Sequence, residues 1–542
     1  MSNASSATTA SSSPTAAKRA LAPLCAALVL SALAQGQGPL AWRHAWRYAS
    51  GLEGWIGQTV DVGDHGGQVF TAFEGFTLQG RLLSSHDNNP ALPVWVSPPA
   101  YFGFSPRVRS NDSNTLHALF AFTEAVAGAP RRPTLRMFDS GSSTPLWSYE
   151  FPVTVQNPPA GLSMSTDGQR TLAWFYNATT NRTVLGVFQP GSSVPIATWN
   201  VDSSGQTWNV HMSADGNFAY VTSQLRTMVV DLGTGALLHN TVNFDAIGTG
   251  HAITSDGFTF ARSSSTRRVS IYTRTGSTYA QTYQYDLGVD AMCARAAFSP
   301  DGSQLAMGFN VGSAQVRIVI VDAIASSHPV LMDRSYSGTG TYSQTISDLA
   351  FDAAGRTLAV GTSGDQNGLL PELLVFERSM AGAWSPAFTY DLPGSVYDVA
   401  LSPNGRRLAI ASKSVHFNVL ASGGEINLIE LGERDVRAAG RPVQGTTIQV
   451  DATAQPGALV TLLVANRLAN QPTVFPGLGT LHLPRAQVLA AGTAVADANG
   501  HAWLPFAIPP GAAQVGQRIY FQTLVSTPRR LSASWDTVTV LP

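Results

Sequence analysis

The chain has 542 residues, 44% of them hydrophobic and only 12% charged, with 50 glycines and 32 prolines. At roughly 100 to 200 residues per domain, this excludes a single small module and suits a turn-rich β protein. A formal charge of −1 without any basic block excludes a counterion-release grip on nucleic acid.

Residues 1–17 carry no charged side chain; Lys18 and Arg19 follow, then an apolar run from Ala20 to Leu33. Ala32-Leu33-Ala34 presents small residues at the −3 and −1 positions of a cleavage after Ala34, so residues 1–34 are expected to be a signal peptide. The run is interrupted by Pro23 and falls short of the roughly 20 apolar residues that a membrane span needs. Cys25 lacks the small residue that a lipoprotein start would place before it. No later stretch reaches spanning length, so the expected location is secreted or extracytoplasmic, at the cell surface or in the periplasm. Cleavage would leave Cys293 as the only cysteine, and with it no internal disulfide.

Beyond the leader the chain repeats itself. FSPDGSQLAMGF starts at Phe298, FDAAGRTLAVGT at Phe351, LSPNGRRLAIAS at Leu401, MSADGNFAYVTS at Met212, MSTDGQRTLAWF at Met164 and ITSDGFTFARSS at Ile253. Each reads as an apolar residue, a small polar residue, a turn with glycine and an alternating strand. The glycines Gly168, Gly216, Gly257, Gly302, Gly355 and Gly405 lie 48, 41, 45, 53 and 50 residues apart, the length of one four-stranded propeller blade. Asp-Gly or Asn-Gly is expected to supply the positive φ of a two-residue hairpin. Weaker copies from Val62 (Asp64 to Gly67) and Val108 (Asn111 to Asn114) bring the expected count to eight blades, with seven as the alternative.

Outer strands are expected at PVWV, LWSYEF, IATWNV, LLHNTV, YAQTYQY, PVLMDRSY and PAFTYDL, from Pro93 to Leu392. After the hairpin at Leu401 only EINLIEL from Glu425 remains, so the last blade is one strand short. The segment AWRHAWRY from Ala41 is the expected donor, closing the ring and removing its free edges. These strings resemble secreted bacterial β-propellers of the WD40-like, TolB-like and YVTN type, over residues 41–432. The resemblance implies fold, and leaves open scaffold, ligand-binding and enzymatic roles.

Residues 433–445 read as a linker. From Thr446 the period disappears, and TTIQVDA, ALVTLLVAN, GTLHL, AGTAVADANGHAWLPFAIP, IYFQTLVS and TVTVL follow. This strand density predicts a β-sandwich over 446–542, with its clearest hairpin at Asp497-Ala498-Asn499-Gly500. The strings resemble a C-terminal module of exported bacterial proteins, which implies an extracytoplasmic setting and no assigned catalytic residue.

No Gly-x-Ser-x-Gly, Cys-x-x-Cys, His-Glu-x-x-His, EF-hand or Walker loop occurs. Propellers build sites instead from the innermost strands at the channel mouth. Three residues before each motif's opening apolar residue stand Gly161, Asn209, Gly250, Arg295, Asp348 and Asp398; one before it stands His211 in one repeat and small residues in the others. The candidate ligand-binding set is therefore Asn209, His211, Arg295, Asp348 and Asp398. Asp348 and Asp398 are the candidate pair for a divalent cation such as calcium, or else caps for backbone amides.

Eight tryptophans in the first half (Trp42, Trp46, Trp55, Trp95, Trp147, Trp174, Trp199 and Trp208) read mainly as packing between blades, with sugar stacking as the other use. MFDSGSSTPLWSYEF and DLGTGALL resemble quinoprotein-type outer turns, yet one mature cysteine cannot form the disulfide of the alcohol type, and the aligned positions lack the glutamate of lactonase-like sites. The reading favours an exported binding or interaction protein for a protein or carbohydrate ligand, with no obligatory cofactor. The alternative is a lactonase-like or quinoprotein-like enzyme acting at the central channel.

Overall fold

The computed structural model describes residues 42–49, 55–62, 69–75, 83–86, 95–96, 106–111 and, with short interruptions, 115–540. The expected signal peptide and the turn at Asp64 to Gly67 lie outside the described residues. The named elements are all β-strands, and eight four-stranded antiparallel sheets account for residues 42–431. Numbered in chain order, their innermost strands are Trp55–Val62, Arg107–Ser110, Ala160–Met164, Thr207–Met212, Ile247–Ile253, Met292–Phe298, Ile346–Phe351 and Val396–Leu401. Each innermost strand packs against that of the next sheet, and Val396–Leu401 packs against Trp55–Val62. The sheets thus follow one another around an axis and meet, the arrangement of a β-propeller.

The core is divided accordingly. Apolar clusters fill the wedges between neighbouring sheets, as with Val399, Leu408 and Ile429 of the eighth against Leu373 and Val375 of the seventh. Val60, Val69 and Phe73 of the first sheet pack with Ala409, Ile426 and Leu428 of the eighth, so the closing wedge is built like the others. Middle strands are covered on both faces, which is why Thr357–Thr362 and Arg407–Lys413 are buried throughout and read as near-continuous apolar runs. Outer strands face solvent on one side, and Trp147–Glu150 alternates between half-buried and exposed.

The eighth sheet is completed by Trp42–Ala49, antiparallel to Gly424–Leu431, with Trp42 opposite Leu431 and Ala49 opposite Glu425. Arg47 pairs with the buried Glu425 carboxylate, His44 Nε2 lies 3.0 Å from Asn427 Oδ1, and Trp42 stacks on Phe388 of the seventh sheet. The N-terminal strand therefore supplies charge pairing and ring stacking as well as edge hydrogen bonds.

The repeated turns differ from a two-residue hairpin. In the sixth sheet Phe298 pairs with Leu305, leaving six residues in the loop. All six motif glycines have φ between 62° and 73°, and the aspartates before them do not take positive φ. Ser299 shows what replaces the shorter turn: its Oγ donates to Asp301 Oδ1 (2.6 Å) and accepts from Gln304 N–H (3.0 Å). Ser165, Ser213 and Thr254 do the same. The small hydroxyl residue of the motif is thus a cap for the loop's own backbone.

Outer-strand tryptophans tie successive sheets together. Trp95, Trp147 and Trp199 donate Nε1–H to the carbonyls of Ser140, Pro190 and Leu232 in the following sheet (3.1, 2.6 and 3.3 Å). The side chains of Trp46 and Trp55 lie outside the described residues.

Beyond residue 431, Val436–Ala439, Thr447–Thr453 and His501–Ala507 form one sheet. Leu489–Val495, Leu459–Ala465, Arg518–Ser526 and Arg529–Leu531 form a second, with Asp536–Thr539 on Arg518–Ser526. Val450, Leu504, Val460, Leu462 and Phe521, drawn from both, share one apolar cluster. Val436–Ala439 falls inside the stretch expected as a linker: its alternating Val436 and Ala438 bury against this cluster and draw the segment into the sheet.

Candidate functional site

The innermost strands surround a cavity of about 800 Å³ to which every one of the eight sheets contributes. Asn209, His211, Arg295, Asp348 and Asp398 all line it. Four of them follow a break in strand pairing. The register skips one residue between Thr207 and Asn209, Cys293 and Arg295, Ile346 and Asp348, and Val396 and Asp398; the first sheet repeats this between Gly57 and Thr59. Such bulges re-aim the side chains beside them. The skipped Trp208 and Tyr397 also line the cavity, and Trp208 is exposed there.

The two glycine positions of the aligned ring are filled by neighbours. A Cβ at residue 161 would collide with the Trp174 indole, and one at residue 250 with Cys293 Sγ. The Cys293 thiol donates to Arg295 O (3.2 Å), and burial pushes its pKa up to about 12, so it is no nucleophile.

The carboxylates bridge adjacent sheets. Val399 N–H donates to Asp348 Oδ2 (3.2 Å), while Thr59 Oγ1 and Val60 N–H donate to Asp398 Oδ2 (2.8 and 3.0 Å). Asp61, which the repeat alignment did not nominate, continues the series: its Oδ2 accepts from Ser110 N–H (2.6 Å) and its Oδ1 from Val62 N–H (2.9 Å). Three acids thereby link the seventh sheet to the eighth, the eighth to the first and the first to the second, across the place where the ring closes.

The charges are balanced at close quarters. Burial and the neighbouring Asp398, by its charge and by a hydrogen bond, push Asp348 up to about 8, against the opposing pull of Arg295 and the Val399 amide. Asp348 is therefore protonated at neutral pH and donates to Asp398. Arg109, also missed by the alignment, is held charged despite burial by Asp398, Asp61 and Asp348. Burial, then Arg109 and Arg295, push His211 down to about 4, leaving a neutral imidazole whose Nε2 is buried without a hydrogen-bond partner. Asn209 is turned to its own strand, Oδ1 accepting from Val210 N–H (2.9 Å).

Among the described residues no group of three or more His, Cys, Asp or Glu side chains is arranged to hold a metal ion. Each member of the pair nominated for a cation also accepts from a backbone amide of the next sheet. What the cavity presents to a ligand is the Arg295 guanidinium, the His211 ring, the carboxyl groups of Asp61, Asp348 and Asp398 and the Trp208 ring. Asp61 had a sequence signal, since it precedes Val62 as His211 precedes Met212. The copy at Val62 was too weak to carry the alignment that far. Arg109 holds the same register place, one residue before the turn-opening Ser110, which pairs with His117 as Met212 pairs with Ala219; a serine where the other repeats put an apolar residue hides it in the sequence.

No protein-family model matches the chain. No curated protein matches it either. Among solved structures it is similar to the β-propeller domain of Cps50 (Swd1) from Myceliophteria thermophila. The identity is 14% and the TM-score 0.42, over 59% of this chain and 95% of that one. The propeller arrangement rests on the chain's own strand pairing and inter-sheet packing.

Proposed function

We infer that the chain is an exported, eight-bladed β-propeller with a C-terminal β-sandwich, and that it binds a polyhydroxylated ligand such as a saccharide in its central cavity without turning it over. The observation that carries this reading is the lining of the cavity: a mixed set of donors and acceptors from every blade beside the exposed Trp208 ring. Hydroxyl-rich ligands are held by such sets, with an aromatic face taking their C–H side. The acids support ring closure first, because their oxygens already serve amides of the next blade. Export follows the reading of Lys18, Arg19 and the apolar run after them.

The test is calorimetric titration with neutral oligosaccharides, with chromatography of the recovered ligand. Binding weakened by Arg295→Met, with the ligand recovered intact, is the expected result. Turnover that disappears in Asp348→Ala would replace the binding reading with the enzymatic one, because the proton shared by Asp348 and Asp398 is the group best placed for acid catalysis.

A further inference from the structure

We propose that the fifth blade carries a second site, away from the central cavity, that binds a tetrahedral oxyanion of the phosphate or sulfate type through Arg262, Arg268, Ser270 and Gln284. Strand register builds it. Arg262 on Thr259–Ser264 lies opposite Ser270 on Arg268–Thr275, which lies opposite Gln284 on Thr278–Asp286. Directly opposed residues project to the same face of an antiparallel sheet, so the three side chains stand in one row. With Ser264 and Arg268 they line a cavity of about 40 Å³. At 10 to 15 Å³ per water-sized group, this admits roughly three such groups, as many as the oxygens that a seated tetrahedral oxyanion turns inward.

The electrostatics favour an anion. Arg262 is half-buried and lines the cavity; its Nε–H is shut away from that space, so the terminal guanidinium nitrogens are what a ligand can reach. No carboxylate lines the cavity. Asp286, which stands opposite Arg268, is taken by both Arg267 (2.8 Å) and Arg268 (3.3 Å), so two guanidinium groups share one acid and no ion pair joins Arg262 to it. His239 of the neighbouring blade is kept neutral, pushed down to about 4 by burial and then by Arg262. The Gln284 Oε1 accepts weakly from Gln281 Nε2 (3.5 Å), which leaves the Gln284 amide hydrogens for a ligand. Two guanidinium groups with a hydroxyl and an amide match the donor set an oxyanion takes.

The experiment is calorimetric titration of the full chain with sodium sulfate and sodium phosphate in a chloride background of fixed ionic strength, with acetate as the planar control and glucose 6-sulfate as the ester form. Sulfate and phosphate should bind, acetate should not, and Arg262→Met should raise Kd by about tenfold or more, a loss of about 1.4 kcal/mol. Because Arg262 is half-buried, Arg268→Ala and Gln284→Leu on the exposed side are measured as well and should each weaken binding. Glucose 6-sulfate binding more tightly than sulfate would place the oxyanion on a saccharide; tighter free sulfate would make it a free ion. Sulfate binding that is absent, equalled by acetate, or unchanged in all three variants would overturn the proposal.

Discussion

Replacing Asp348 with asparagine should stabilise the protein, contrary to the usual result of changing a buried, hydrogen-bonded carboxyl. The ordinary carboxyl value of 3.8 is raised to about 8 in the folded chain, by burial first and Asp398 second. Between those limits the folded state holds a proton that the unfolded state has released, so stability falls as pH rises through the window and levels off above it. Each pH unit costs about 1.4 kcal/mol per proton, and the three units between the ordinary value and pH 7 set a ceiling of about 4 kcal/mol. An amide at residue 348 can still donate to Asp398, so a gain of about 1–3 kcal/mol is the working figure. Urea denaturation midpoints of wild type and Asp348→Asn, followed from pH 4 to pH 9 at constant ionic strength, measure it. The variant should lack the decline seen in the wild type and pull ahead above about pH 5. Parallel pH profiles, or a variant less stable at pH 8, would refute the shared-proton description. Calcium that stabilises wild type but not the variant would show instead that a cation belongs between the two acids.

Other outcomes follow from the same contacts. Asp398→Ala removes the acceptor of the Thr59 hydroxyl and the Val60 amide, and should cost about 1–3 kcal/mol in urea unfolding, with faster hydrogen exchange at Val60. Deleting residues 42–49 bares the edge of Gly424–Leu431 and should convert a monodisperse protein into aggregates on size-exclusion chromatography. Cys293, fully buried with its thiol pushed up to about 12, should stay unmodified by a maleimide at pH 8 until the chain is unfolded; rapid labelling of the native protein would contradict its burial.

The ring was readable because its signal is repeated. Six turns carrying the same glycine at a near-constant interval place the innermost strand of each repeat, and placing those strands places their side chains around one cavity. The missing fourth strand of the last blade was likewise visible as a deficit after Leu431 and an unclaimed strand at Trp42–Ala49. The chemistry of the site was less accessible, because it depends on what crosses between blades. A bulge leaves no mark in a strand such as Val396–Leu401, yet it aims Asp398 at the Thr59 hydroxyl. Whether two acids 50 residues apart share a proton or a metal depends on distances that only packing sets. Arg109 feels the charges of Asp398, Asp61 and Asp348; its place in the repeat is that of Asp61 and His211, but the polar Ser110 beside it breaks the apolar signal that would reveal this. The strand at Val436–Ala439 is hidden for a related reason: four residues beside glycine and proline alternate too briefly to register.

The most direct test of the account is whether the central cavity is the binding site. Calorimetric titration of a panel of neutral oligosaccharides into wild type, Trp208→Ala and Arg295→Met addresses it in one measurement. One saturable site per chain, weakened about tenfold or more by each substitution, is the predicted result. No heat from any member of the panel, or affinities indifferent to both substitutions, would contradict it.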